Sequence, residues 1–261
     1  MTEYLQLPGG RIAYDTTGAG PLVVLLPGMG NLRSAYRFLA PELAAAGYRV
    51  VTADLRGHGD SSADWDAYDN TAAGGDLAAL IRHLGGPATV VGHSFSGGTA
   101  VWLAAEEPSL VNGLVLVNAF TRPVAMNPAM RALAKVVLSH PALWGMYFKT
   151  LHKGPKPADF DADLKAMKAG LRGRMGAVAA MGAGAKRELE GRLARVTAPA
   201  LILMGGADPD FPDPRAEADV IAREMPGRTE TMTIDGAGHY PHTEFPAETA
   251  AAVLAFLKGL D

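Results

Sequence analysis

The stretch Ala88-Thr-Val-Val-Gly-His-Ser-Phe-Ser-Gly-Gly-Thr-Ala100 decides how the rest of the chain is read. Its first part, Thr89 to Val91, is apolar and β-branched and stops at Gly92. Such a run suits a buried strand. A helical pattern starts after Phe95, with small or apolar residues at Ala100, Val101, Trp102 and Leu103. Ser94 lies between them, at a strand-to-helix bend that lifts a hydroxyl above the sheet edge. The helix start also points backbone N–H groups toward that hydroxyl, where they would stabilise an oxyanion. The G-x-S-x-G pattern asks for a glycine at the position of Ser96, because the new helix passes close to the strand it left. A register shifted by two makes Ser96 the nucleophile instead, again with one mismatch. Ser94 is preferred, since it leaves no gap between strand and turn.

Working outward, Tyr4 to Leu7 and Arg11 to Asp15 read as strands around Pro8-Gly9-Gly10. Leu22-Val-Val-Leu-Leu26 is a strand buried on both faces, ending in Pro27-Gly28-Met29-Gly30. Helical spacing runs from Ser34 to Ala46, a strand from Tyr48 to Ala53, and a helix from Thr71 to Leu84. Leu114 to Val117 is a further buried strand. The alternation resumes at Ala200 to Met204, with a helix at Arg215 to Glu224, a strand at Thr229 to Ile234 and a last helix at Phe245 to Leu257. Strands alternating with helices imply an α/β fold with a mostly parallel central sheet and helices on both faces. Ligands of such sheets bind beyond the carboxyl ends of the strands.

Residues 121–196 break the pattern. They hold helical pieces rich in Ala, Met and Lys and no convincing strand. The expected organisation is a single-domain core of residues 1–120 and 197–261, with residues 121–196 inserted as a helical cap. From Arg122 to Arg195 there are 14 Lys and Arg against 5 Asp and Glu, although the whole chain carries −3. A solvated basic insertion on an acidic body accounts for this; a lid that attracts anionic substrates or a membrane surface is the sharper alternative. The charge gives no reason to expect a nucleic-acid partner. With no cysteine, no signal-peptide pattern at the N-terminus and no long apolar run, a cytoplasmic protein without membrane insertion is expected.

A serine hydroxyl needs a base, and the base needs a carboxylate to orient it. Both late strands end in a candidate: Gly205-Gly-Ala-Asp208-Pro209 and Asp235-Gly-Ala-Gly-His239-Tyr-Pro-His242. His242 competes with His239, and Asp210 and Asp213 compete with Asp208. Asn118 ends its strand without offering an acid. Asp54 is expected to brace a loop with Arg56, and His58 and His93 to be structural.

The chain resembles the α/β-hydrolase family in Leu25-Leu-Pro-Gly-Met-Gly30, Asp54-Leu-Arg-Gly-His-Gly-Asp-Ser61, Val91-Gly-His-Ser-Phe-Ser-Gly-Gly98, Gly205-Gly-Ala-Asp-Pro209 and Gly236-Ala-Gly-His239. The resemblance implies Ser94 as nucleophile, His239 as base and Asp208 as its partner. It implies an oxyanion hole from the backbone N–H groups of Met29 and Phe95, and no cofactor or metal. Two departures stand out: Pro27 replaces the family's usual His, and Ser96 replaces Gly. The implied activity is cleavage of a carboxylic ester of a small to medium, partly apolar substrate through an acyl-enzyme. Lactone opening, C–C bond hydrolysis, amide or thioester cleavage and perhydrolysis use the same groups.

Trp144, Met146, Tyr147, Phe148, Met167, Met175 and Met181 are candidates to line an apolar pocket, and the Gly- and Ala-rich segment 168–185 is a candidate gate. Two other classes compete. Gly28-Met-Gly-Asn-Leu-Arg33 followed by Asp54 is most of a dinucleotide fingerprint, with Arg33 in the third glycine position. A low-turnover ligand-binding protein on the same scaffold is the other.

Overall fold

A computed structural model describes residues 1–123, 127–183 and 187–260. Eight strands form one sheet: β1 (Glu3–Leu7), β2 (Gly10–Thr17), β3 (Leu22–Leu26), β4 (Arg49–Ala53), β5 (Ala88–His93), β6 (Val111–Val117), β7 (Ala200–Gly205) and β8 (Thr229–Ile234). Their spatial order is β1-β2-β4-β3-β5-β6-β7-β8. The first two strands pair antiparallel to their neighbours and the other six are parallel.

The continuous apolar strands follow from burial on both faces. In β3, Leu22, Val24 and Leu26 join one core and Val23 and Leu25 the other, as alternation along a strand requires. The first core is covered by α2 (Asn70–His83), α3 (Phe95–Glu106) and α8 (Pro214–Glu224), through Leu77, Ile81, Val101 and Ile221. The second is covered by α1 (Leu39–Ala45) and α10 (Pro246–Lys258), through Leu39, Leu43, Val253 and Phe256. A short helix, α9 (Pro241–Glu244), precedes α10.

The single helix expected over 34–46 is instead a 3-10 turn at Arg33–Tyr36 followed by α1. Pro41 explains the break. It cannot donate to a carbonyl one turn back, so it sits in the first turn of α1 rather than inside a longer helix.

Between β6 and β7 lie α4 (Pro128–Val137), α5 (Pro141–Leu151), α6 (Phe160–Gly170) and α7 (Met175–Ala183). They build their own apolar cluster around Trp144, Phe148, Leu164, Met167 and Val178. No residue of α4 is buried. No described helix is long and apolar enough to cross a membrane.

Candidate active site

Ser94 follows β5 directly and has φ 54° and ψ −118°. A non-glycine residue in this region is strained, and such strain concentrates where function requires a fixed geometry. The strand and the outgoing helix cross closely. A Cβ on Gly92 would lie 2.4 Å from the Ser96 carbonyl oxygen, and one on Gly97 would lie 2.2 Å from Ala119 Cβ. The steric demand for glycine therefore falls on Gly92 and Gly97, and position 96 can hold a serine.

That serine has a task. Ser96 is fully buried and its Oγ donates to the Pro27 carbonyl at 2.5 Å. The loop after β3 is thereby fixed against the start of α3. At Gly28 this loop runs so close that a Cβ would meet Ser94 Cβ at 2.9 Å. Gly30 N donates to His58 Nε2 at 2.8 Å, and Trp144 Nε1 donates to the Gly30 carbonyl at 2.7 Å. Burial lowers His58 to about 4, so its ring stays neutral and can accept that bond.

His239 Nδ1 lies 2.7 Å from Asp208 Oδ2. Burial opposes a charge on His239. The Asp208 carboxylate and its hydrogen bond, with Asp210 and Glu244 further out, outweigh it and hold the pKa above its ordinary value. His242 does not share the site. It is fully buried, its ring stacks on Tyr36, and burial pushes it down to about 3. His93 Nε2 donates to the His239 carbonyl at 2.7 Å, and the ring packs against the His239 and His242 rings.

Two further residues hold this arrangement, one noted in the sequence only for offering no acid and the other not noted at all. Asn118 ends β6 with φ 43°, a conformation asparagine tolerates. Its Nδ2 donates to Asp208 Oδ2 at 2.5 Å and to the Gly238 carbonyl at 3.1 Å, and its Oδ1 accepts from Gly205 N at 2.7 Å. The strand end thus offers an amide that clamps the acid to the histidine loop. The second is Glu244. Its carboxylate accepts from the backbone N–H groups of Gly238, Tyr240, Lys153 and Gly154. It joins the histidine loop to the segment after α5. An acid four residues beyond Tyr240 is the only signal the sequence carries for it.

Ser94, His239, Met29 and Phe95 line one cavity of about 320 Å3. Asp208 lies behind His239, while Asp210 reaches the cavity wall. Among the described residues no hydrogen bond joins Ser94 Oγ to the His239 ring. Catalytic contacts of this kind often tighten only with substrate bound.

Of the pocket candidates, Trp144 and Tyr147 line this cavity. Met146 points outward, 66% exposed, and Phe148, Met167 and Met175 pack inside the insertion. Met181 packs with Leu55, Ala73 and Phe95. Further apolar wall comes from Met130, Leu133, Ala134 and Val137 of α4, with Phe120, Leu138, Leu151 and Tyr240. Within the candidate gate, Leu171, Met175, Val178 and Met181 are buried, and residues 184–185 lie outside the described residues. A larger cleft of about 680 Å3, between α5, α6 and α7, includes Met175 and none of the site side chains.

The Asp54 expectation needs correcting. Arg56 pairs with Asp76, at 2.6 Å. Asp54 instead pairs with Arg33 and accepts from the backbone of Arg33 and Asp60. Arg33, carried by the turn after the β3 loop, also meets Asp15 and Asp60. Asp54 is consumed in this cluster, which removes the acid a dinucleotide ribose would need. Asp208, Asp210 and His239 bring one ligand atom each within 4.8 Å of one another. Asp208 Oδ2 and His239 Nδ1 already satisfy each other, which makes the set a poor cation site.

Mouse (Mus musculus) sn-1-specific diacylglycerol lipase ABHD11 is 28% identical over 96% of this chain and 85% of its own length. Epoxide hydrolase A of Mycobacterium tuberculosis is 28% identical over 96% and 94%. Among solved structures, a thermophilic esterase from Thermogutta terrifontis superposes with a TM-score of 0.83, at 24% identity, over 99% of both chains. A family model described as the alpha/beta hydrolase family matches residues 23–252. Sheet order, serine bend and family match agree, and the chain belongs to the alpha/beta hydrolase family.

Proposed function

We propose that the protein is a serine hydrolase that cleaves a carboxylic ester of a small to medium, partly apolar substrate. The observation that carries this reading is the 2.7 Å bond from Asp208 to His239 beside the cavity that the strained Ser94 also lines.

In this reading Ser94 Oγ attacks the carbonyl carbon while its proton passes to His239 Nε2. Asp208 keeps Nδ1 protonated and steadies the imidazolium. The N–H groups of Met29 and Phe95 receive the oxyanion, and one such donor is worth about 3 kcal/mol of barrier. The alcohol leaves with the proton from His239. Water then gives its proton to His239 and its oxygen to the acyl carbon, and Ser94 recovers its hydrogen as the acid departs. The body, residues 1–120 and 197–261, carries this chemistry. Residues 121–196 act as a cap that shapes the apolar wall.

The relatives include both an epoxide hydrolase and a lipase. A serine favours the carbonyl substrates. Attack by its oxygen on an epoxide carbon would leave an ether, with no carbonyl through which water could release the enzyme. Attack on an ester leaves another ester, which water can hydrolyse.

The test is a panel of p-nitrophenyl esters and lactones, run with wild type and Ser94→Ala. Ester turnover that falls at least about a thousandfold in the variant is the expected result. Turnover that stays within a few-fold of wild type would mean the nucleophile lies elsewhere.

A further inference from the structure

The cavity wall is mainly apolar, yet it carries one carboxylate. Asp210 lies two residues beyond Asp208, and its N–H donates to Asp208 Oδ1 at 2.9 Å. This bond fixes the backbone of Asp210 beside the Asp208–His239 pair. Its Oδ2 is 3.8 Å from His239 Nδ1, which Asp208 already holds at 2.7 Å. Its Oδ1 accepts from Tyr147 Oη at 2.5 Å, a bond that crosses from α5 to the loop after β7. The Asp210 side chain is 19% exposed. Both residues line the cavity that holds Ser94 and His239.

A carboxylate on such a wall is costly unless donors satisfy it. Tyr147 supplies one donor to Oδ1. Among the described residues Oδ2 makes no hydrogen bond. The Tyr147 oxygen can accept as well. Burial, then the neighbouring Asp210 charge, keeps that hydroxyl protonated and able to donate.

We propose that Asp210 and Tyr147 form a polar subsite for a hydroxyl or amide N–H carried by the substrate near the scissile carbonyl. The subsite rests on the serine-hydrolase reading above. It narrows the substrate class from apolar esters to acyl compounds that bear a hydrogen-bond donor on the acyl or the alcohol side. A site built around such a bond rejects the analogue lacking the donor far more strongly than a site that loses one methylene.

The test measures kcat/KM for two matched pairs. The butyrate and β-hydroxybutyrate esters of p-nitrophenol place the donor on the acyl side. Propyl and hydroxyethyl butyrate place it on the alcohol side. Wild type should prefer the donor-bearing member of at least one pair by about tenfold or more. Asp210→Leu should bring that ratio close to one. Asp210→Asn keeps the volume and one acceptor, and should lower the ratio at least about threefold, so it decides the matter if the leucine variant does not fold. Any change in His239 acidity affects both members of a pair and cancels in the ratio. A contact that merely latches α5 to the body would slow both members alike. No wild-type preference in either pair, or a preference unchanged in Asp210→Asn, overturns the subsite. Turnover surviving Ser94→Ala overturns the hydrolase reading, and the subsite with it.

Discussion

The rim of the sheet and the helices inserted above it are built by different rules. At the rim, each site residue is fixed by backbone that the sheet dictates. Ser94 and Asn118 sit at positive φ at the ends of adjacent strands, and Asp208 and His239 follow the next two. Side chains then tie the loops to one another, as Ser96 does at Pro27, Asn118 at Gly238 and Glu244 at Tyr240. The insertion packs mainly on itself. It also meets the body, through polar links such as Arg37 to Asp159 and Trp144 to Gly30 and through Met181 packed on Leu55 and Phe95, while no residue of α4 is buried. The contrast teaches that changes at the rim should act on the rate of bond breaking. Changes on α4 should act on which substrates fit.

Asp208→Asn is the strongest way to break that contrast. An amide cannot fix the histidine tautomer as a carboxylate does, and kcat should fall about 10,000-fold in ester hydrolysis assays. A loss below tenfold would mean the rim does not govern the chemistry. Ser96→Gly comes next. It frees the Pro27 carbonyl and loosens the loop that carries Met29. Steady-state kinetics should show kcat down by about ten- to a hundredfold, less than deleting an oxyanion donor outright. Leu133→Trp sharpens the other side. Leu133 lines the cavity from α4 and is 64% exposed, so a larger side chain should fold normally. The preferred acyl chain should shorten, with kcat/KM for long esters lower by about tenfold and for acetate esters within about twofold. Equal losses on both would place Leu133 outside the substrate path.

The smallest effect is spread over buried histidines at the rim. His58 and His242 are pushed down to about 4 and about 3, and His93 also lies below its ordinary value, each mainly by burial. Unfolded, they take up protons near pH 6.5, so between there and pH 4 the unfolded chain binds more protons. Their contribution to stability is complete above pH 6.5 and shrinks as pH falls. His239 acts oppositely, since its raised pKa adds stability at low pH that is lost as pH rises through the folded value. Thermal melts should show Tm falling from pH 6.5 to 4, and His242→Phe should flatten that slope. A slope left unchanged would show that His242 is not titrating on unfolding.

Much of the rim was legible because Ser94, Asp208 and His239 each lie within a few residues of a strand end. Leu201 to Met204 leads to Asp208, and Thr229 to Ile234 leads to His239, without any need to know distant contacts. Asn118 and Glu244 were not legible for the complementary reason. Asn118 bonds Gly238, and Glu244 bonds Lys153 and Gly154, partners that only the fold brings near. The pocket-lining residues divided along helix phase. Trp144, Phe148 and Leu151 form the buried stripe of α5, which leaves Met146 on the outer side. Composition alone grouped Trp144, Met146 and Phe148 as apolar. The wall from α4 was missed because its residues, Met130 and Leu133 among them, are half exposed and border open space instead of a core.

The most direct test of the account is to inactivate the protein with a serine-directed phosphonate and locate the adduct by peptide mass mapping. The account predicts a single adduct on Ser94, blocked by Ser94→Ala and slowed by His239→Ala. An adduct on Ser96, or inactivation that proceeds unchanged in Ser94→Ala, would contradict it.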